Sequence, residues 1–442
     1  MKYDIIIAGG GTAGCACAYT AGKLGLKVLL IEKNSFLGGT MTSGLVTPAM
    51  NIGVKNKINN TFFETLMKKL HDIGGQITYP DGNIGWFNPE LMKITLDDMM
   101  AESDVEVFFN TSIKEIVRDK HGIKGVILNN ENTNYIDTID NDNTQFKNKI
   151  LSLYIETKYL VDGTGDAKIF ENLNLEFLNK NNFDSKIFQP VNLRFIMSSV
   201  DIKSFSDWIM NLDSDRQVTT SYTIDGQIHL STAYTWDKDK NWALAPVFQA
   251  GIEEELITDE DSNYFQIFTI PGMPDSIAFN CPRVVGDVNI FNKVDYSNAL
   301  IEARKSILRL SKFLNKKFTG FKDAYISSIA NSLGVRVSNR IKGRYVYTID
   351  DLKSGKKFEN PCLISDYPID VHSTKDGESI LEKQNIEYML PIESLMSDKY
   401  ENLFAIGRCI SADFYAQAAL RIIPACFSMG EGLAKYISKN LQ

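Results

Sequence analysis

The first apolar run along the chain, residues 3–8, is almost uninterrupted and rich in isoleucine. That is the pattern of a strand buried on both faces, not of a half-exposed one. A glycine turn follows, then a helix predicted from Ala13 to about Leu24 and a second fully apolar run, Val28–Ile31. Apolar residues at helical spacing recur over 60–71 and 89–102, the latter with Pro89 in its first turn and Asn88 as N-cap. Val105–Phe109 reads as a strand, and Ser112–Arg118, Ile123–Leu128 and Leu151–Ile155 alternate as an antiparallel meander would. Between them, Asn129–Asn148 is rich in Asn, Asp and Thr and reads as a long hairpin tip or insertion without a functional site. Tyr159–Asp162 is a short strand entering Gly163-Thr164-Gly165-Asp166.

From about Ile187 the pattern changes. Short strands with aromatics (Val191–Met197, Tyr222–Leu230, Phe265–Ile270, Ser276–Phe279) lie among helices Phe205–Leu212 and Tyr296–Leu314, with Trp208, Trp236 and Trp242 as core residues. This predicts a second domain of mixed α+β type. Near the end, Asn402–Ile406 is a strand closing on Gly407-Arg408. Arg421-Ile422-Ile423-Pro424 then leads a helix from Ala425 to about Ile437, a strand–turn–helix expected to rejoin the sheet of the first domain.

The chain has 442 residues, too many for one small core, so two domains, one of them discontinuous, are expected. Its formal charge of −8 and the lack of a Lys/Arg-rich run argue against nucleic acid as a partner. No apolar run approaches the ~20 residues of a membrane span, and Ile5–Ala8 is too short for an export signal. A cytoplasmic location is the expectation. The six cysteines form no CxxC pair and are expected to be free thiols, with Cys15 and Cys17 packing inside the first helix. No metal-ligand cluster is evident.

The chemistry begins with Gly9-x-Gly11-x-x-Gly14 between the first strand and helix, and with Glu32 after the second strand. The first glycine allows the tight turn, the second lets a pyrophosphate reach the backbone, and the third lets helix and strand pack closely. The free N–H groups and positive end of the helix dipole face the same anion, and the acid is placed to accept from ribose hydroxyls. Together these make a dinucleotide-binding βαβ unit. The loop Leu37–Gly44 follows it, with a Gly-Gly step and hydroxyls suited to a flat aromatic ligand. The chain has no second GxGxxG, so a separate nicotinamide-nucleotide domain is not expected. Arg336 and Arg340 stand at i, i+4 and would share one helix face if that segment is helical, a pair suited to carboxylate or phosphate. The alternative for them is a pair of structural salt bridges. His372, in Asp370-Val371-His372, is one of four histidines and reads either as structural or as an acid–base group.

Gly9–Gly14 with Glu32, Gly38–Gly44, Asp162–Ala167, Phe279–Arg283, Gly334–Gly343, Asp370–His372 and Asn402–Gly432 run in the order found in a known group. Over nearly the whole chain the sequence resembles the bacterial FAD-dependent oxidoreductase family, within the two-dinucleotide-binding-domain flavoproteins. The resemblance implies an α/β fold: a discontinuous Rossmann-like FAD-binding domain of GR2 type, with an inserted α+β substrate domain. The first would comprise residues 1–50, 88–185 and 390–442; the second 186–389, with 51–87 contributing. It implies non-covalent FAD, since no Cys or His sits in a recognisable attachment motif. Gly9, Gly11, Thr12, Ala13 and Gly14 would hold the pyrophosphate, and Glu32 with Lys33 the adenosine ribose. Gly39 and Thr40 would lie towards the flavin, and Gly163, Thr164, Gly165 and Asp166 beside the phosphates. Gly407, Arg408, Ile422 and Ile423 would meet the ribityl and pyrimidine side.

Relatives often carry a His-containing segment where this chain has Asp413–Gln417. The activity implied is hydride transfer between flavin N5 and a small organic substrate, with an external electron carrier as a further partner. Arg336 and Arg408 would bind that substrate, and His372, Tyr415 and Arg340 are the catalytic candidates. Two other readings share the same start. One is a nucleotide-binding protein, thiazole-synthase-like or a sensor, without flavin turnover. The other is a flavin-dependent tRNA-modifying enzyme, which the acidic balance disfavours.

Overall fold

The computed structural model describes residues 1–50, 58–129, 153–178, 189–214, 218–234, 242–284, 286, 288–372, 379–382 and 386–441. The segment 130–148 and Trp236 therefore lie outside the described residues.

Two sheets carry the molecule. The first is seven-stranded, and its centre is the strand Lys2–Ala8, paired in parallel with Val28–Ile31 on one side and Tyr154–Asp162 on the other. Ile5, Ile6 and Ile7 are fully buried because both faces of this strand are covered. Burial of each contributes about 2 kcal/mol, which is why the run carries no polar alternation. Glu106–Phe108 extends the sheet beyond Val28–Ile31 in parallel. Helix Thr12–Lys23 packs against the last helix, Ile423–Leu441, where Gly430 is obligatory: a Cβ there would stand 2.2 Å from the carbonyl oxygen of Ala13.

Tyr154–Asp162 is a single strand with two partnerships. Its first half pairs antiparallel with Gly122–Asn129, which in turn pairs with Ser112–Asp119, completing the expected meander. From Glu156 onward it lies parallel to Lys2–Ala8, and its end, from Leu160 to Asp162, also lies parallel to Leu403–Ala405, which arrives from the far end of the chain. The sequence pattern divided this strand into two pieces.

The second sheet is six-stranded and antiparallel, in the order Thr220–Ile224, Gln227–Tyr234, Phe265–Ile270, Met273–Phe279, Phe195–Ser198, Tyr325–Ile329. One strand was expected over Tyr222–Leu230; it is instead a hairpin. Asp225 and Gly226 both take positive φ (51° and 79°), as a two-residue turn matched to strand twist requires. Helices Ile202–Leu212 and Lys293–Lys317 bury their apolar faces in the core that lies on this sheet. That core is dense in phenylalanine, with Phe195 and Phe279 stacked at 4.3 Å and Phe248, Phe313, Phe318 and Phe321 around them. Trp208 packs on Phe205 and Phe318, and Trp242 meets Tyr234 edge-on. Among the described residues no helix is long and apolar enough to cross a membrane.

Candidate functional site

The separated glycine motifs converge on the start of the first helix. Gly9 turns the chain with φ 106°, and its N–H donates to the Ile31 carbonyl at 2.7 Å. Gly163 lies so close that a Cβ on Gly9 would stand 2.5 Å from its carbonyl oxygen. Gly14 packs on Gly9, where a Cβ would meet the Gly9 oxygen at 1.9 Å. Gly39 faces Gly11, and Gly407 approaches Ala13. Gly11 differs from the others. A Cβ there would meet nothing nearer than the Gly39 Cα at 4.0 Å, so its hydrogen faces open space.

Helix Thr12–Lys23 has no side-chain N-cap and no acid in its first turn. Its first N–H groups and dipole end therefore remain available to an anion. An open glycine beside an uncapped helix start is the cradle a dinucleotide pyrophosphate requires, so the residues present fit FAD. Glu32 is buried at the rim. Its carboxylate accepts from Gly10 N (2.8 Å) and from Asn34 N and Nδ2 (2.8 and 2.7 Å), which fixes its direction. Lys33, next in the chain, and Thr40 are exposed.

The two carboxylates flanking Gly163–Gly165 do different work. Asp162 is fully buried and accepts from Thr164 N and Oγ1 and from Ile169 N (3.0, 2.7 and 2.8 Å). It thereby holds the turn in which Ala167 takes φ 55°. Asp166 meets Arg408 Nη2 at 2.5 Å; burial works against its ionisation, yet Arg408 keeps its pKa below the usual range. Arg408 also donates through Nε to Ser338 Oγ (3.2 Å) and through Nη1 to the Val335 carbonyl (3.1 Å). Its guanidinium ties the Gly163–Asp166 turn, the 334–343 segment and the last strand's turn together.

The 334–343 segment is not helical, so Arg336 and Arg340 do not share a helix face. It runs extended, with isolated bridges from Gly334 to Asn192, Ile341 to Phe177 and Gly343 to Ser397. Its flanking contacts with three different parts of the chain outweigh the helical spacing of the two arginines. Arg340 is buried and faces Asp413, with burial drawing its pKa down to about 10. Arg336 turns into a second cluster, donating through Nη1 to the Pro190 carbonyl at 2.5 Å.

That cluster lies where the antiparallel sheet meets the start of the last helix. Arg283 stacks on the ring of Tyr264, its guanidinium carbon 3.7 Å from the centroid. Its Nη2 lies 2.9 Å from His372 Nδ1. Arginine has no acceptor, so Nδ1 is the accepting nitrogen and the proton sits on Nε2, which faces Asp370 Oδ1 at 3.2 Å. Arg421 closes the chain of contacts. Its Nη2 reaches Asp370 Oδ2 (3.2 Å), the Asp370 carbonyl (3.0 Å) and Gln189 Oε1 (3.1 Å). Burial, and then Arg336, pull the His372 pKa down to about 3, so the ring is neutral. The pKa of Asp370 is lowered despite its burial, by His372, Arg421 and Arg336. Burial, then Arg283 and Arg421, bring Arg336 down to about 9, still cationic at neutral pH.

Of the residues singled out by sequence, Gly9, Gly11, Thr12, Ala13, Gly14, Gly39, Gly163 and Gly407 gather at one place. Ile422 and Ile423, both buried, sit directly after Arg421. Tyr415 stands at the start of helix Phe414–Leu420, 37% exposed and edge-on to Phe414, and joins no hydrogen bond of the arginine cluster among the described residues. Cys15 and Cys17 are buried, and burial pushes both thiols up, Cys17 to about 12. Sequence reasoning missed Gln189, Arg194, Tyr264 and Arg421 as site residues, and quoted Arg283 only as the edge of a motif. Their positions carry no common spacing that could have signalled them.

The family model described as FAD dependent oxidoreductase matches residues 4–438. The chain belongs to that family, and FAD is its cofactor. It is similar to the digeranylgeranylglycerophospholipid reductase of Sulfolobus acidocaldarius, at 26% identity over 186 residues, 39% of this chain and 36% of that protein. It is also similar to the thiamine thiazole synthase of Pyrococcus horikoshii, at 23% identity over 167 residues, 37% of this chain and 58% of that protein. Both relatives are thus matched over less than two thirds of their own length. Among solved structures, the flavin-dependent brominase Bmp2 aligns with all of this chain and 80% of its own, at 13% identity and a TM-score of 0.48.

Proposed function

We propose that this enzyme moves a hydride between non-covalently held FAD and a small organic substrate bound at the arginine cluster. The observation that carries this reading is the position of the cluster. Arg421 immediately precedes Ile422 and Ile423, and Arg336 belongs to the segment that Arg408 ties to the Gly163–Asp166 turn. Substrate groups and cofactor cradle are therefore parts of one hydrogen-bonded assembly. The whole-chain family match supports the redox half of the reading.

The bound flavin would supply the two-electron chemistry at its N5. Thr12, Ala13 and Gly14 would present N–H groups to the pyrophosphate past the open side of Gly11, and Glu32 would receive the adenosine ribose beside Lys33. Gly163, Thr164 and Gly165 would line the phosphates, with Asp166 and Arg408 bracing that turn. The start of the last helix would face the pyrimidine side, where its dipole favours negative charge.

Arg336 would bind substrate, and Arg340 would hold Asp413 and the loop before Phe414. His372, with Nδ1 and Nε2 each engaged, would orient Arg283 and Asp370, leaving Tyr415 as the proton carrier. The two domains expected from sequence would meet at this cluster, and no nucleic acid is required.

The test is anaerobic titration of the FAD-loaded protein with a panel of metabolites, followed by the visible flavin absorbance. Bleaching by a substrate, or reoxidation of reduced enzyme by one, is expected. Protein that stays colourless after reconstitution would sink the reading.

A further inference from the structure

The arginine cluster contains more positive charge and more unused donors than its own acid accounts for. Four guanidiniums converge on the buried ring of Tyr264 and its neighbours: Arg194, Arg283, Arg336 and Arg421. Among the described residues, the one ion pair any of them makes is that of Arg421 with Asp370. His372 is neutral and Tyr264 keeps its proton, burial raising its pKa. Counting only these groups, four cations face one anion, an excess of three.

The unused hydrogen bonds have the same sign. Among the described residues, the buried Arg194 Nη1, Arg283 Nε, Arg421 Nε and Gln189 Nε2 have no hydrogen-bond partner. Arg194 is 9% exposed and Gln189 8%. All four are donors. Leaving one buried donor unmade costs about 1–3 kcal/mol, and a buried unpaired cation more. Four together, drawn from segments as far apart as residues 189 and 421, are costly as a mere domain latch. They suit a ligand that brings acceptors and negative charge. Planar guanidinium forks match planar carboxylates, each of which can accept up to about four hydrogen bonds. One carboxylate would leave an excess of two charges, whereas two would leave one.

We infer that the cluster of Arg194, Arg283, Arg336 and Arg421 is a binding site for a small dicarboxylate, which is the substrate class of this enzyme. The inference rests on the reading above that substrate binds at this cluster. One carboxylate would be held by Arg283 and Arg194 on the Tyr264 side, the other by Arg421 and Arg336 beside the start of the last helix. The carbon chain between them would present its C–H bonds towards the cofactor, and Asp370 would keep a third carboxylate out by like-charge repulsion.

The experiment is equilibrium binding to the oxidised, FAD-loaded protein, read both by calorimetry and by perturbation of the flavin absorbance. The probes are malonate, succinate, propionate, inorganic phosphate and 1,4-butanediol. A dicarboxylate is expected to bind at least about tenfold more tightly than propionate, with phosphate intermediate and the diol not bound. Arg194→Met and Arg283→Met are each expected to weaken dicarboxylate binding by about tenfold or more with FAD content unchanged, and Arg283→Lys to restore part of it. FAD content and the melting curve show which variants are folded. If Arg194→Met does not fold, the Arg283 pair carries the test.

Propionate binding as tightly as succinate, phosphate binding more tightly than either dicarboxylate, or variants binding as the parent does would each overturn the inference. Dicarboxylate binding with no metabolite able to bleach the flavin would uphold the site and defeat the redox reading. Bleaching by a neutral substrate without any dicarboxylate binding would do the reverse.

Discussion

Around Gly11 the donors are backbone N–H groups at the start of a helix; around Tyr264 and Asp370 they are guanidinium side chains from four separate segments. The first region selects its ligand by leaving room, with glycines wherever a Cβ would obstruct. The second would select by surplus charge, with buried donors that no described residue satisfies. A backbone cradle costs little when empty, because its N–H groups can turn to water. A buried cationic cluster is held against its own repulsion, and needs the surrounding fold to keep it together.

The largest effects should separate the glycines that pack from the one that makes room. Gly14→Ala and Gly430→Ala place a Cβ 1.9 and 2.2 Å from backbone carbonyl oxygens, and each is expected to cost about 3 kcal/mol or more, seen as a collapse of the melting temperature without FAD. Gly11→Ala meets no atom closer than 4.0 Å and should melt like the parent while losing its flavin on gel filtration. A Gly11→Ala protein that stays yellow would remove the cradle from the comparison.

Next in size is the charge of the second region. Asp370→Asn leaves the guanidiniums without the one acid they pair with among the described residues and is expected to lower stability by about 3 kcal/mol in denaturant unfolding. A loss below about 1 kcal/mol would show that the arginines tolerate one another, and that surplus charge is not what defines this region.

Acid sharpens the contrast further, because only the second region contains a histidine. His372 has its pKa lowered from 6.5 to about 3 in the folded protein, so the unfolded chain binds the extra proton between those values. Stability should be undiminished above about pH 6.5 and fall steadily as the pH drops towards 3. His229, buried and without a hydrogen bond on either ring nitrogen among the described residues, has its pKa lowered to about 4 and adds to the same slope from outside both regions. His229→Phe should therefore flatten part of the decline between about pH 6.5 and 4, and His372→Asn a further part, in urea titrations across that range. A slope unaffected by both would mean that neither ring is held neutral.

The smallest effect is a control on the glycine argument. Gly226 also has open space around it but lies at φ 79° in a hairpin turn, so Gly226→Ala should cost only about 1 kcal/mol from the left-handed backbone and leave FAD content unchanged. Flavin loss in this variant would mean that retention reports general stability rather than the cradle.

The two regions also differ in how far they could be read beforehand. Gly9, Gly11 and Gly14 owe their spacing to one turn of chain, and Glu32 to the next strand, so the cradle is written locally. The same holds for helix Pro89–Ala101, whose Asn88 side chain accepts from Glu90 N and Leu91 N as the sequence predicts. Arg194, Arg283 and Arg421 are brought together by sheet pairing and by the loop before the last helix, which no window of sequence contains. Arg336 and Arg340 show the opposite case: their spacing allows a shared helix face, but bridges to Asn192 and Ser397 hold the backbone extended. The Asp225-Gly226 turn was legible and passed over, because the aromatic and β-branched run around it reads as one strand.

The strand Tyr154–Asp162 has a consequence for the order in which the molecule can be made. One of its parallel neighbours is built from residues 2–8 and the other from residues 403–405. No stretch of nascent chain that ends before Leu403 contains the Gly407 turn or the helix that packs on Ala13 and Cys17. During synthesis the opening βαβ unit must therefore wait, apolar flank uncovered, while the whole second sheet is made. Loading of the flavin is then a late event, and ribosome-bound chains stalled before that residue should retain none.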